Sequence, residues 1–122
     1  LKKNLKMENN IPKFDLIILG LGEDGHTASL FPHEFLKFRN KEECLLATHP
    51  NSFQKRISLS EKIINNANEV IFYVPGSGKK YVVDEIVNKR GNFNSYPASY
   101  IKPVSGKLYW YLDFNSSEML TK

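Results

Sequence analysis

The sequence predicts an α/β fold in which a parallel or mixed sheet is flanked by helices, and three observations carry that expectation. Short apolar runs, Leu16-Ile17-Ile18-Leu19 and Val70-Ile71-Phe72-Tyr73-Val74, alternate with stretches of helical periodicity. Both runs stop at glycine-rich turns, Gly20-Leu21-Gly22 and Gly76-Ser77-Gly78, as a strand does when it hands over to a helix. With 41% hydrophobic residues, the 122-residue chain has apolar content for one compact domain at most.

The elements follow in order. The polar, lysine-rich residues 1–13 are expected to be a loop, a linker or a frayed helix, and the folded unit is expected to run over 14–122. Strands are expected near 14–19, 44–48, 70–74, 98–101 and 107–112, with Cys44 as a small buried residue of the second. Ser58 and Glu61 have the spacing of a capping box; Ile63, Ile64 and Ala67 then share a helical face that Asn68 closes. A helix from Lys79 is expected from the pairs Val82/Ile86 and Val83/Val87. Residues 91–97 are a polar connection, and Pro103-Val104-Ser105-Gly106 is a turn into the last strand. No internal repeat or low-complexity block interrupts this order.

Composition excludes several function classes. The net charge of +4, from 17 basic and 13 acidic residues, is scattered and not drawn into a stripe with aromatics between, so nucleic acid is not the expected partner. The same excess suits a small anionic substrate such as a phosphate ester. No apolar stretch approaches the roughly 20 residues that span a bilayer, and no signal segment opens the chain. No membrane association and a cytoplasmic setting are therefore expected. A single cysteine allows no internal disulfide. The first residue is Leu1, and the chain is expected to be a piece of a longer polypeptide.

The most informative segment is FDLIILGLGEDGHTASLFP, residues 14–32. Gly20-Leu21-Gly22-Glu23-Asp24-Gly25 fits the dinucleotide pattern G-x-G-x-x-G, but two carboxylates inside that cradle repel a pyrophosphate and Pro32 cuts short the helix the motif needs. Asp24, His26, His33 and His49 lack the spacing of familiar zinc sites. A plain tight turn, with Asp24 as a cap and His26 as a bystander, is a further reading. The last treats the turn as an acid/base centre: imidazole exchanges protons near neutrality when a carboxylate fixes its orientation, and Asp24 and His26 supply that pairing.

LGLGEDGHTASLFP resembles the signature of the 6-phosphogluconolactonases, in the superfamily that includes the glucosamine-6-phosphate deaminases. Arg56-Ile57-Ser58-Leu59-Ser60, Gly76-Ser77-Gly78-Lys79, Pro97-Ala98-Ser99 and Gly106–Asp113 are similar to further segments of that family, in order, over about residues 14–113. The resemblance implies the C-terminal half of a Rossmann-like, mostly parallel sheet. It also implies hydrolysis of 6-phosphoglucono-1,5-lactone to 6-phosphogluconate in the oxidative pentose phosphate pathway, without metal or organic cofactor. His26 is then the general base that activates water, Asp24 orients it, and the backbone around Gly22 and Gly25 is placed to steady developing negative charge. Lys79 takes the substrate phosphate, with Arg56 beside it.

Lys79 does not belong to a Walker A loop, because Tyr73 stands where that motif needs its first glycine. Ser29-Leu30-Phe31-Pro32 stands where the deaminases carry Asn-Glu-Pro, which favours the lactonase branch over a deaminase or isomerase. A family glycine after that proline is His33 here. The family's Gly-Gly-x-Thr/Ser-Pro phosphate loop is not in the chain, so the implied partners are the lactone, the N-terminal half of the same domain and, in a fused arrangement, glucose-6-phosphate dehydrogenase. A noncatalytic sugar-phosphate sensor on the same scaffold is the alternative from another class.

Overall fold

The computed structural model describes residues 1–39 and 43–121. Its centre is a three-stranded parallel sheet of β3 (Leu16–Leu19), β6 (Glu69–Val74) and β7 (Lys107–Leu112), in the order β3-β6-β7. The register aligns Leu19 with Phe72 and Phe72 with Trp110. All three strands therefore end at the same edge, and the turns that follow Leu19, Val74 and Leu112 emerge side by side. The expected α/β class is observed.

Alternation along the strands decides what is buried. Ile17, Leu19, Val70, Phe72 and Val74 enter the core, where Phe72 stacks on Trp110 with ring centroids 4.4 Å apart. The helix α3 (Lys80–Val87) packs Val82, Val83 and Ile86 into the same core, while Val87 of the expected pair stays exposed. The other sheet face is open. Ile18, Tyr73 and Tyr111 are 64%, 59% and 57% exposed on it. Parallel sheets are ordinarily covered on both faces, so this surface is unusual for the class.

Residues 1–13 form more than a lead-in. β1 (Lys6–Glu8) and β2 (Ile11–Lys13) pair as an antiparallel hairpin around Asn9 and Asn10, whose φ angles of 53° and 63° suit a two-residue turn. Asn66 fastens this hairpin to the body by donating its side-chain amide to the carbonyls of Ile11 and Pro12. Strands of three residues are too short to carry a periodicity by which they would be recognised.

A second antiparallel pair joins β4 (Cys44–Thr48) to β5 (Lys55–Leu59). Leu45 and Ala47 point inward, and Cys44 lies on the exposed phase of β4, which corrects its expected burial. The short helix α1 is Phe35–Phe38, and α2 is Glu61–Ile64. Ser60, not Ser58, caps α2, accepting the Ile63 N–H at 3.4 Å. Ser58 belongs to β5 and its hydroxyl accepts the Ser29 N–H, so the capping-box spacing was fortuitous. The helix ends at Ile64, before Asn68.

The strand expected at 98–101 is a 3₁₀ turn over Pro97–Tyr100. Pro97 begins it, and Ala98 donates its N–H to the Gly25 carbonyl at 3.0 Å, a loop contact in place of a ladder. Ala98 and Ile101 are buried as an apolar run would suggest, but in helical turns. Among the described residues no helix is long and apolar enough to cross a membrane.

Candidate active site

The turn after β3 carries the acid/base pair at the carboxyl edge of the sheet. His26 Nδ1 lies 2.5 Å from Asp24 Oδ1, and the His26 backbone N–H donates to the same oxygen at 3.0 Å. Burial by itself would raise the Asp24 pKa; the His26 N–H and the imidazole outweigh it and hold the carboxyl below its ordinary value of 3.8. Asp24 is thus ionised throughout the neutral range. The His26 side chain keeps 31% of its surface exposed, enough for its second nitrogen to serve a ligand.

Gly22 makes this geometry sterically available. A Cβ there would stand 2.1 Å from His26 Nδ1 and 2.7 Å from Asp24 Oδ1. The Gly22 N–H donates to the His26 carbonyl at 2.8 Å, and the Gly25 N–H to the Gly22 carbonyl at 3.0 Å. Both amides are engaged within the turn, and what these two residues contribute to it is room. Gly25 has φ +83° and sits against the Tyr96 ring, where a Cβ would come within 2.3 Å of Cδ1.

Tyr96 braces the turn from behind. Its hydroxyl donates to Glu85 Oε2 at 2.5 Å, and that hydrogen bond, with burial, pushes the phenol up to about 12. Because the folded pKa exceeds the ordinary value of 10.0, the contact stabilises the fold below pH 10 and is lost as pH rises towards 12. Tyr96→Phe is expected to cost about 1 kcal/mol at pH 7. It should also remove the phenolate step near 12 from a titration followed at tyrosinate absorbance.

Lys79 closes the other side. It ends the 3₁₀ turn Ser77–Lys79 that follows β6 and donates Nζ to the Leu21 carbonyl at 2.6 Å. Gly76, with φ +102°, donates its N–H to the Asp113 carboxylate at 3.0 Å, which ties this turn to the end of β7. The Ser116 and Gly76 N–H groups hold the Asp113 carboxyl below its ordinary value. Gly20, Leu21, Gly22, His26, Thr27, Ala28 and Lys79 line one cleft of about 320 Å³.

The structure therefore joins His26, Gly22 and Lys79 in the lining of one cleft, with Asp24 held against His26 and Gly25 against Tyr96 beside it. Arg56 lies outside that lining: it donates to Gln54 Oε1 and sits 6.0 Å from the centroid of the Phe31 ring. Among the described residues no three His, Cys, Asp or Glu side chains are grouped to hold a metal. Sequence reasoning missed Thr27, whose hydroxyl donates to the Gly20 carbonyl, and Asp113 and Tyr96, which brace the two turns. Contacts between distant segments leave no local pattern to find them by.

The family model for glucosamine-6-phosphate isomerases/6-phosphogluconolactonase matches residues 1–110. The chain is 40% identical over 114 residues to human 6-phosphogluconolactonase, covering 93% of this chain and 44% of that protein. It is 37% identical over 103 residues to the human GDH/6PGL endoplasmic bifunctional protein, covering 84% of this chain and 13% of that one. The crystal structure of devB protein superposes with a TM-score of 0.88 at 35% identity, over 98% of this chain and 50% of that chain. The chain thus spans less than half the length of the curated relatives it matches.

Proposed function

From the premise that this chain belongs to the glucosamine-6-phosphate isomerase/6-phosphogluconolactonase family, we propose that it carries the acid/base centre of an enzyme hydrolysing 6-phosphoglucono-1,5-lactone to 6-phosphogluconate. The observation that carries the reading is the 2.5 Å contact of His26 with Asp24 at a cleft shared with Lys79. With Nδ1 turned to the carboxylate, Nε2 takes a proton from water as the water oxygen bonds to the lactone carbonyl carbon. The tetrahedral intermediate collapses by breaking the bond to the ring oxygen, which receives the proton back from Nε2. The products are the carboxylic acid and the C5 hydroxyl. Asp24 orients the imidazole and stabilises its protonated form, and no step calls for a metal or organic cofactor.

Lys79 is the phosphate ligand in this reading. Its ammonium has two protons beyond the one given to Leu21, and it stands where a 3₁₀ turn opens α3. In this reading Arg56 is a second cation for the same anion. Lys79→Ala is expected to raise KM about 10- to 100-fold, the loss of one charge-assisted hydrogen bond, with a smaller change in kcat. Steady-state kinetics on the lactone separate the two.

The reading includes a second structural part. A segment preceding this one in the same domain is proposed to cover the open sheet face at Ile18, Tyr73 and Tyr111 and to supply the remaining phosphate contacts. The bifunctional relative supports an arrangement in which such a unit shares its polypeptide with a dehydrogenase. The test is lactone opening by the full-length polypeptide that contains this chain, corrected for spontaneous hydrolysis. Acceleration of lactone opening without ammonia release from glucosamine-6-phosphate is expected; the reverse pattern would replace the lactonase reading by the deaminase one.

A further inference from the structure

We infer, in deepening the lactonase reading and resting on it, that Phe31 is a positioning residue whose ring forms the back wall of the His26 imidazole. One hydrogen bond fixes one point of a ring and leaves it free to tilt about the line to its partner. For His26 that point is Nδ1 on Asp24. Gly22 crowds the same end of the ring, where even a Cβ would collide. Phe31 supplies the flat surface at the other side, with ring centroids 5.0 Å apart and planes inclined by 46°. That separation lies within the contact range of interacting aromatic rings.

A wall must itself be immobile, and Phe31 is. It is fully buried, and its carbonyl accepts N–H groups from Phe35 at 2.9 Å and Glu34 at 3.2 Å. His49 meets the ring edge-on at 5.3 Å, and His33 stacks at 6.1 Å. The His49 ring is fixed in turn, because Nδ1 accepts the N–H groups of Asn51 and Ser52. The Arg56 guanidinium lies over the same phenyl ring at 6.0 Å. One aromatic plate therefore contacts the imidazole and three other basic side chains. A leucine of similar bulk would fill the space without offering a plane.

The test uses the full-length polypeptide and two matched substitutions, Phe31→Leu and Phe72→Leu. Phe72 is equally buried in the same core and stacks on Trp110, so it controls for lost packing. Kinetics on the lactone are joined to the imidazole proton–nitrogen NMR signals of His26, assigned by their loss in His26→Gln and read without substrate. Phe31→Leu is expected to lower kcat about 10- to 100-fold with KM within about threefold, and to move the His26 signals. Phe72→Leu is expected to lower the melting temperature comparably and leave kcat and those signals in place.

If Phe31→Leu tracks Phe72→Leu in both readouts, the inference is overturned. Should the leucine variant not fold, Phe31→Met, whose unbranched side chain adapts to the same space, carries the same expectation. A wild-type protein that does not open the lactone would defeat the lactonase reading; the role of Phe31 would then be decided by nuclear Overhauser contacts between the His26 ring and Gly22, which loss of the phenyl ring current leaves in place and tilting of the imidazole changes.

Discussion

Replacing His26 by alanine in the full-length polypeptide is expected to lower kcat for the proposed lactone hydrolysis by about 10²- to 10⁴-fold, the usual contribution of a positioned general base. KM should move little, because in the proposed mechanism the imidazole acts on the attacking water, whereas affinity is assigned to the phosphate contacts. Comparing kcat of the two proteins, after subtracting spontaneous ring opening, is the measurement. A variant as fast as the parent would take His26 out of the reaction. Folding is not at stake in this change: the side chain lies at a cleft mouth and its removal opens no core cavity.

Gly22→Ala is expected to be nearly as damaging, although it deletes no reactive group. The new methyl carbon would occupy a point 2.1 Å from Nδ1 and 2.7 Å from Asp24 Oδ1, well inside contact distance. The imidazole and the carboxylate must then swing apart, and a displacement of about 1 Å costs on the order of 10²-fold in rate. Asp24 would also lose the partners that hold its pKa low, so the variant's Asp24 should titrate at higher pH, readable by carboxyl-carbon NMR. A variant with full kcat and an unshifted Asp24 would show that the pair tolerates separation. Melting temperature serves as the control, because the crowding is between two partly exposed side chains.

The sequence made the parallel strands and their glycine turns legible because both are local. The runs at 16–19 and 70–74 could hide only in a core, and Gly20–Gly25 and Gly76–Gly78 could follow only as turns. Asp24 and His26 were within reach for the same reason: two residues apart, they need only the turn to meet. The hairpin at residues 6–13 escaped because asparagines in the left-handed region make its turn without glycine or proline. The 98–101 segment misled because an apolar run of four fits a buried turn as well as a strand. Cys44 misled because alternation, not residue type, decides which side of β4 faces inward. Arg56 was recognised as a cation but not located, since its distance from the cleft depends on β5, which was read as the approach to a helix.

The clasp between the Gly76 amide and the Asp113 carboxylate sets a schedule for the nascent protein. The loop carrying Lys79 is translated 37 positions before the acid that pins it, so it leaves the ribosome unfastened. A truncation just ahead of Asp113 would retain every side chain assigned to the reaction and still lack the latch that steadies the bend carrying Lys79.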